Sequence, residues 1–128
     1  MIVVDTSAIF AVLYDEERGP ACATALAAHQ RLLISAGTLT EAYVVAARKG
    51  VIQALEKFLA NITLEVIPVD ADFAALAGQS YVRYGRGLHA ASLNFGDTFA
   101  YVLAKQRACP LLFIGDDFSL TDVTPALR

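Results

Sequence analysis

The chain is predicted to fold as an α/β/α sandwich, with a central parallel sheet of four or five strands covered by helices on both faces. Three observations lead there. Four short apolar runs, Ile2-Val3-Val4, Leu32-Leu33-Ile34-Ser35, Leu64-Glu65-Val66-Ile67 and Leu111-Leu112-Phe113-Ile114, recur along the 128 residues, each of strand length and rich in aliphatic side chains. Helical stretches separate them, and that alternation calls for parallel pairing through right-handed crossovers. The composition is 56% hydrophobic and 18% charged, with mean hydropathy +0.50. Such a balance suits a sheet buried on both faces, or an apolar face covered by a partner. No repeat, low-complexity tract or linker divides the sequence, so a single domain over 1–128 is expected.

The elements follow in order. After the first strand, Asp5-Thr6-Ser7 leads into a short apolar helix over Ala8 to Tyr14, and Asp15-Glu16-Glu17-Arg18-Gly19-Pro20 is a charged turn. Alanine content makes Ala21 to Gln30 helical. Beyond the second strand, Thr38-Leu39-Thr40-Glu41 matches the capping box S/T-x-x-E and opens a long helix to about Lys49, stopped by Gly50. Arg48 and Lys49 suit the negative end of its dipole. Val51 to about Ala60 folds back as an antiparallel partner. Pro68 limits the third strand, and Asp70 caps a helix over Ala71 to about Tyr84. Gly85-Arg86-Gly87-Leu88-His89 is a glycine-broken basic loop. Asn94 caps the next helix, which carries Asp97 at its third position and runs to about Arg107. Val123 is a candidate for a brief edge strand.

Composition also excludes some functions. No apolar run approaches the roughly 18–20 residues of a membrane span, and no basic segment precedes the first strand. A cytoplasmic protein is the expectation. Cys22 and Cys109 are far apart, without a CxxC or a neighbouring His, and read as small buried hydrophobes rather than as a disulfide or zinc site. With net charge −3 and pI near 5.2, any nucleic-acid binding must use a local basic patch or a basic partner.

The acids carry the chemistry. Asp5 follows the first strand and Asp116 the fourth, at the edge of a parallel sheet where ligands bind. Glu41 lies near the start of the helix leaving the second strand, and Asp97 near the start of the helix feeding the fourth, so both are expected at the same edge. Each has a local structural explanation: a helix cap for Asp5, a capping box for Glu41, a dipole partner for Asp97 and a turn acid for Asp116. Their convergence needs a further one. Two carboxylates about 5 Å apart repel by roughly 3 kcal/mol at an effective dielectric of 20, and no Lys or Arg lies near these four acids in the sequence, Arg48 and Lys49 being two turns along from Glu41. Hard oxygen ligands without His or Cys point to Mg²⁺, with Mn²⁺ as a substitute. Asp5 and Asp97 are the expected direct ligands, and Glu41 and Asp116 would act through bound water. The hydroxyls of Thr6, Ser7 and Thr98 either orient that shell or bond to helix-start backbone.

These motifs, Val3-Val4-Asp5-Thr6-Ser7-Ala8, Thr38-Leu39-Thr40-Glu41, Tyr84-Gly85-Arg86-Gly87-Leu88-His89, Leu93-Asn94-Phe95-Gly96-Asp97-Thr98-Phe99-Ala100-Tyr101 and Leu111-Leu112-Phe113-Ile114-Gly115-Asp116-Asp117-Phe118, span essentially the whole chain. In combination they resemble the PIN domain ribonucleases, and within them the VapC toxins of toxin–antitoxin pairs. The resemblance implies a PIN-like sandwich and a Mg²⁺-dependent endoribonuclease. It further implies a homodimer, silenced by an antitoxin whose tail covers the active site. The family's acids carry over to Asp5, Glu41, Asp97 and Asp116, with Asp117 as the alternative to Asp116. A metal-activated water would attack the phosphorus, positioned or deprotonated by Glu41 or Asp116. Arg83, Arg86 and His89 are the candidates for phosphate contact, or else ordinary loop charges.

Two other classes compete. A receiver-like signalling domain would also hold Mg²⁺ among acids, but it wants an acceptor Asp after a central strand and a Lys near the last; here the third strand ends Val66-Ile67-Pro68. An RNA-binding fold without turnover would bind RNA and leave it intact in Mn²⁺.

Overall fold

The strand β1 (Ile2–Val4) sends Ile2 and Val4 to one face of the sheet and Val3 to the other, because successive strand side chains alternate. In the computed structural model, which describes residues 1–127, that alternation divides the core in two. Ile2 and Val4 pack with Leu32, Ile34 and Leu112 against the helices α1 (Thr6–Leu13), α2 (Gly19–Ala28), α3 (Ala36–Lys49) and α4 (Ile52–Ala60). Val3, Leu33 and Leu111 pack on the opposite face against α5 (Ala71–Tyr84) and α6 (Asp97–Arg107).

The remaining strands are β2 (Leu32–Ser35), β3 (Leu64–Ile67) and β4 (Leu111–Leu112), in the order β3-β2-β1-β4. Every pairing is parallel, with Val3 opposite both Leu33 and Leu111. The chain builds outward from β1 to β3 and then crosses back to lay β4 on the other side of β1. The order therefore reverses at β1, and the crevice of an open parallel sheet lies at the carboxyl ends of the strands beside such a reversal. Asp5 is the residue that leaves β1 there.

Several sequence expectations need correction. The fourth strand is two residues long rather than four, because the Ile114 N–H turns to the Ser7 hydroxyl. The fifth strand is reduced to one bridge, between Leu111 and Pro125, so Val123 does not form an edge strand. The third strand is an edge strand, half exposed instead of buried, and it carries an Arg31–Glu65 ion pair at 2.8 Å. Cys22 is buried as expected, whereas Cys109 is only partly so.

The largest local revision concerns α3. Strand β2 runs into this helix without a loop, so the extended Ser35 becomes its cap and accepts from the Gly37 N–H at 3.1 Å. The Thr38 capping box does not form. Glu41, six residues into the helix, is thereby released from its local role. By contrast Gly50 ends α3 at φ 70°, Asp70 caps α5 through the Phe73 N–H at 2.8 Å, and Arg48 and Lys49 occupy the last turn of α3, as expected.

Candidate active site

Asp5 does two things with its two oxygens. Its Oδ2 accepts from the Ser7 N–H at 3.0 Å and from the Ser7 hydroxyl at 2.6 Å, which caps α1. Its Oδ1 is buried and has no hydrogen-bond partner. Such an atom costs stability unless something fills its lone pairs. The Ser7 hydroxyl also accepts from the Ile114 N–H at 3.0 Å, so one side chain joins β1 to the segment after β4 at the reversal. Replacing Ser7 by Ala removes both connections and should lower unfolding stability by about 1–2 kcal/mol. Urea denaturation of the variant checks this, and an unchanged midpoint would show that the relay contributes nothing.

Asp97 opens α6. It exchanges two hydrogen bonds with Asn94: the Asn94 N–H donates to Asp97 Oδ2 and the Asp97 N–H donates to Asn94 Oδ1, each at 2.9 Å. This reciprocal arrangement is a capping box in all but its residue types. The regular helix nevertheless begins at Asp97, with Gly96 at the cap position, so Asp97 is its first residue rather than the third expected from a cap at Asn94. The Thr98 hydroxyl donates to the Phe95 carbonyl at 2.7 Å and so is spent on backbone.

Glu41 reaches the same place from α3. Its Oε1 accepts from the Thr6 hydroxyl at 2.8 Å, while Thr6 Oγ1 also lies 3.3 Å from the Thr38 carbonyl oxygen. The Glu41 carboxylate rests against Gly96, where a Cβ would overlap it, and the Phe99 ring rests in the same way against Gly37. Two glycines thus let the first turns of α3 and α6 approach closely, which carries Glu41 toward Asp97.

Burial and like charge then act together. Burial, opposed in part by the Ser7 hydrogen bonds and reinforced by the Glu41 charge, pushes Asp5 up from 3.8 to about 6. Asp97 is pushed up from 3.8 to about 7, chiefly by burial and further by the charges of Asp5, Asp117 and Glu41. Asp116 and Asp117 are both exposed, and of the two it is the Asp117 charge that contributes to raising Asp97. The Asp116 carbonyl accepts from the Ser119 N–H and hydroxyl.

The arrangement fits a hard divalent cation: a buried orphan carboxylate oxygen, other acids around it and, among the described residues, no Lys or Arg among the principal charges acting on Asp5 or Asp97. Among the described residues no three His, Cys, Asp or Glu side chains close into a full ligand set. That is compatible with a cation such as Mg²⁺, which takes one or two carboxylates and keeps its waters.

Acids gathered from the end of β1 and from α3 and α6 at a sheet reversal, Asp5 and Asp97 buried and Glu41 partly so, are a property of the whole fold, and the PIN domain profile matches residues 2–123. The chain belongs to the PIN domain family. This PIN domain is 42% identical over 125 residues to the VapC ribonuclease Mb0640 of Mycobacterium bovis, with 95% of each chain covered. It is likewise 42% identical to a ribonuclease VapC of Mycolicibacterium smegmatis, covering 95% of this chain and 97% of that one. Among solved structures it resembles Mycobacterium tuberculosis VapC20, described as a sarcin-ricin loop cleaving toxin, at TM-score 0.79, 18% identity and 97% coverage of both chains. A toxin–antitoxin complex from Klebsiella pneumoniae aligns at TM-score 0.71 and 21% identity, covering 100% of this chain and 99% of that one.

The receiver-like alternative falls with family membership. Its acceptor position is empty, since β3 is the sheet edge and Asp70 beyond it is engaged as a helix cap. The basic residues of the PIN domain are dispersed. Arg83 lies over the Tyr84 ring and 3.8 Å from Asp122, beside Lys105, so it belongs to a surface cluster around the last turn of α6. Arg86 and His89 are exposed on the loop between α5 and α6, where the His89 ring packs on Tyr84 at 5.0 Å and its Nδ1 accepts from the Ala91 N–H. No helix among the described residues is long and apolar enough to cross a membrane.

Two residues at the site escaped sequence reasoning. Gly96 was legible only as a neighbour of Asp97, because the side chain it accommodates comes from another helix. Phe95 is 76% exposed beside the acids, and its signal was an aromatic residue placed inside an otherwise polar helix start.

Proposed function

We propose that this PIN domain is a divalent-metal-dependent endoribonuclease and the toxin of a toxin–antitoxin pair. The observation that carries this reading is the buried, unpartnered Asp5 Oδ1 in a cluster with Glu41 and Asp97. The VapC ribonucleases similar to it along nearly their whole length support RNA as the substrate. Asp5 and Asp97 hold the cation, with Mg²⁺ as the physiological choice and Mn²⁺ as its substitute. When bound, the cation supplies an acidified water and neutralises charge developing on the phosphate.

The protein's own groups do the rest. Ser7 holds Asp5 Oδ2 and leaves Oδ1 for the cation. Thr6 holds Glu41 Oε1, which orients the carboxylate so that Glu41 accepts a proton from water. Asp116 or Asp117 is the fourth acid, acting through water, and the contribution of the Asp117 charge at Asp97 favours Asp117. Thr98 supports the site through backbone, and Arg86 and His89 offer phosphate contacts from the exposed loop.

An antitoxin and a second copy of the chain are the proposed partners. Support comes from the Klebsiella complex and from exposed apolar side chains such as Val82 at 72% and Leu88 at 61%. The cytoplasm is the proposed location.

Incubating RNA with the purified protein in Mg²⁺ or Mn²⁺, and sequencing the fragment ends, tests the activity directly. Discrete cuts that EDTA abolishes are expected, and intact RNA in both metals would overturn the reading. The Gly96→Ala variant provides an internal check. Its methyl group would displace the Glu41 carboxylate from Thr6, and cleavage should fall by about 10–100-fold with the melting temperature little changed. Unaltered cleavage would show that Glu41 needs no such positioning.

A further inference from the structure

Phe95 is the most exposed of the large hydrophobic side chains, at 76%, and it stands between Asn94 and Gly96 immediately before Asp97. One edge-on contact holds its ring, against Phe99 at 5.3 Å between centroids. Phe99 in turn stacks on Phe73 at 6.4 Å, so the exposed ring has a buried aromatic footing. Apolar grooves lie on both sides of it. One, of about 570 Å³, is lined by Gly37, Glu41, Val44, Pro68, Phe95 and Gly96 among others. The other, of about 460 Å³, is lined by Ala77, Gly78, Tyr81, Phe95 and Phe99 among others.

We propose that Phe95 is a stacking platform for a base of single-stranded RNA, seated in the larger groove next to the scissile phosphate. The inference rests on the ribonuclease reading and adds a substrate-binding residue to it. Continuity is the first argument: Glu41 and Gly96 belong both to the acid cluster and to the groove wall, so a base in the groove belongs to a nucleotide at the acids. Charge is the second. Glu41 is the one charged residue among those lining the larger groove, and no charged residue lines the smaller. A phosphate is therefore excluded from both grooves, whereas a neutral planar base is not. The third is chemical, since unstacked bases in single-stranded RNA are held by aromatic rings on their π-faces, a contact that tolerates sequence. Grooves flanking one ring accommodate the bases of successive nucleotides.

The test measures binding of short, labelled, mixed-sequence single-stranded RNAs in Mg²⁺. Asp97→Asn protein, in which turnover is suppressed, is compared with Asp97→Asn carrying Phe95→Ala, Phe95→Leu or Phe95→Trp. Phe95→Ala and Phe95→Leu should each weaken binding by about tenfold or more, and Phe95→Trp should restore it. In the otherwise native protein the loss should fall on KM rather than kcat, whatever the base beside the cut. Unchanged affinity in Phe95→Ala overturns the proposal, as does full binding by Phe95→Leu, which would indicate an apolar protein contact. A change in sedimentation without a change in RNA affinity also overturns it, and assigns the ring to a protein interface. Wild-type protein that binds RNA through Phe95 but never cuts it would sink the ribonuclease reading alone. Intact cleavage with unaltered Phe95→Ala binding would sink the stacking alone.

Discussion

Asp97→Asn protein should fold, bind its cap partner and fail to cleave RNA, with a loss of at least about a hundredfold in kcat. The structural reason is that the substitution separates charge from hydrogen bonding. Asp97 Oδ2 accepts from the Asn94 N–H, and an Asn side-chain carbonyl does the same. The reciprocal bond uses the Asp97 backbone N–H and is untouched. Only the negative charge is removed. Asp5→Asn works alike, because an amide oxygen still accepts from Ser7 while its NH₂ group takes the place of the unpartnered Oδ1. Cleavage assays in Mg²⁺ and Mn²⁺, with circular dichroism as the folding control, decide the matter. Native-like activity in either variant would remove that acid from the catalytic set. A variant that also unfolds would show that the carboxylate is primarily structural.

The second large effect concerns stability in the absence of metal. Asp5 at about 6 and Asp97 at about 7 both lie above the ordinary 3.8, so the folded chain holds these protons more tightly than the unfolded chain does. Their stabilising contribution is full below pH 3.8 and is lost as pH rises through about 6 and then about 7. Each shift corresponds to a penalty on the order of a few kcal/mol at neutral pH, and the two are not additive because each charge raises the other. Metal-free protein should therefore weaken between about pH 4 and pH 7 with respect to these groups.

Divalent cations reverse the penalty only where the carboxylates are ionised. At pH 8, Mn²⁺ or Mg²⁺ at a hundred times its dissociation constant should add about 2.7 kcal/mol, or roughly 10 °C in melting temperature. At pH 5 the gain should largely vanish. Asp97→Asn should flatten the pH dependence and raise the metal-free melting temperature at pH 8. A melting temperature that ignores both metals at pH 8 would refute the cation site, whatever the outcome of the cleavage assays.

These expectations draw unequally on sequence and on tertiary structure. The parallel sheet, its order of elements and the position of Asp5 at the end of β1 follow from local pattern, since aliphatic runs and helical stretches of these lengths fit few other layered arrangements. Gly50 and Asp70 were legible for the same reason: each stop or cap is decided by backbone geometry within a few residues. Glu41 was not. Its capping-box motif has a correct local meaning, but Ser35 takes over the cap because β2 passes directly into α3, and that depends on where the sheet places Ser35. Asp116 and Asp117 could not be told apart either, because the turn after β4 decides which side chain faces the acids, and adjacent residues of a turn carry no periodic signal.

By itself the sequence determined which acids exist, on which elements they sit and that no Lys or Arg adjoins them in the chain. Only the tertiary structure decided that Asp5 divides its oxygens between a helix cap and an empty buried lone pair, that Thr6 and Gly96 hold Glu41 between two helices, and that Phe95 is left exposed beside them. The physical reason is range. Helix and strand periodicity act over a few residues, whereas desolvation and like-charge repulsion at this site act between residues as far apart in the chain as Asp5 and Asp97.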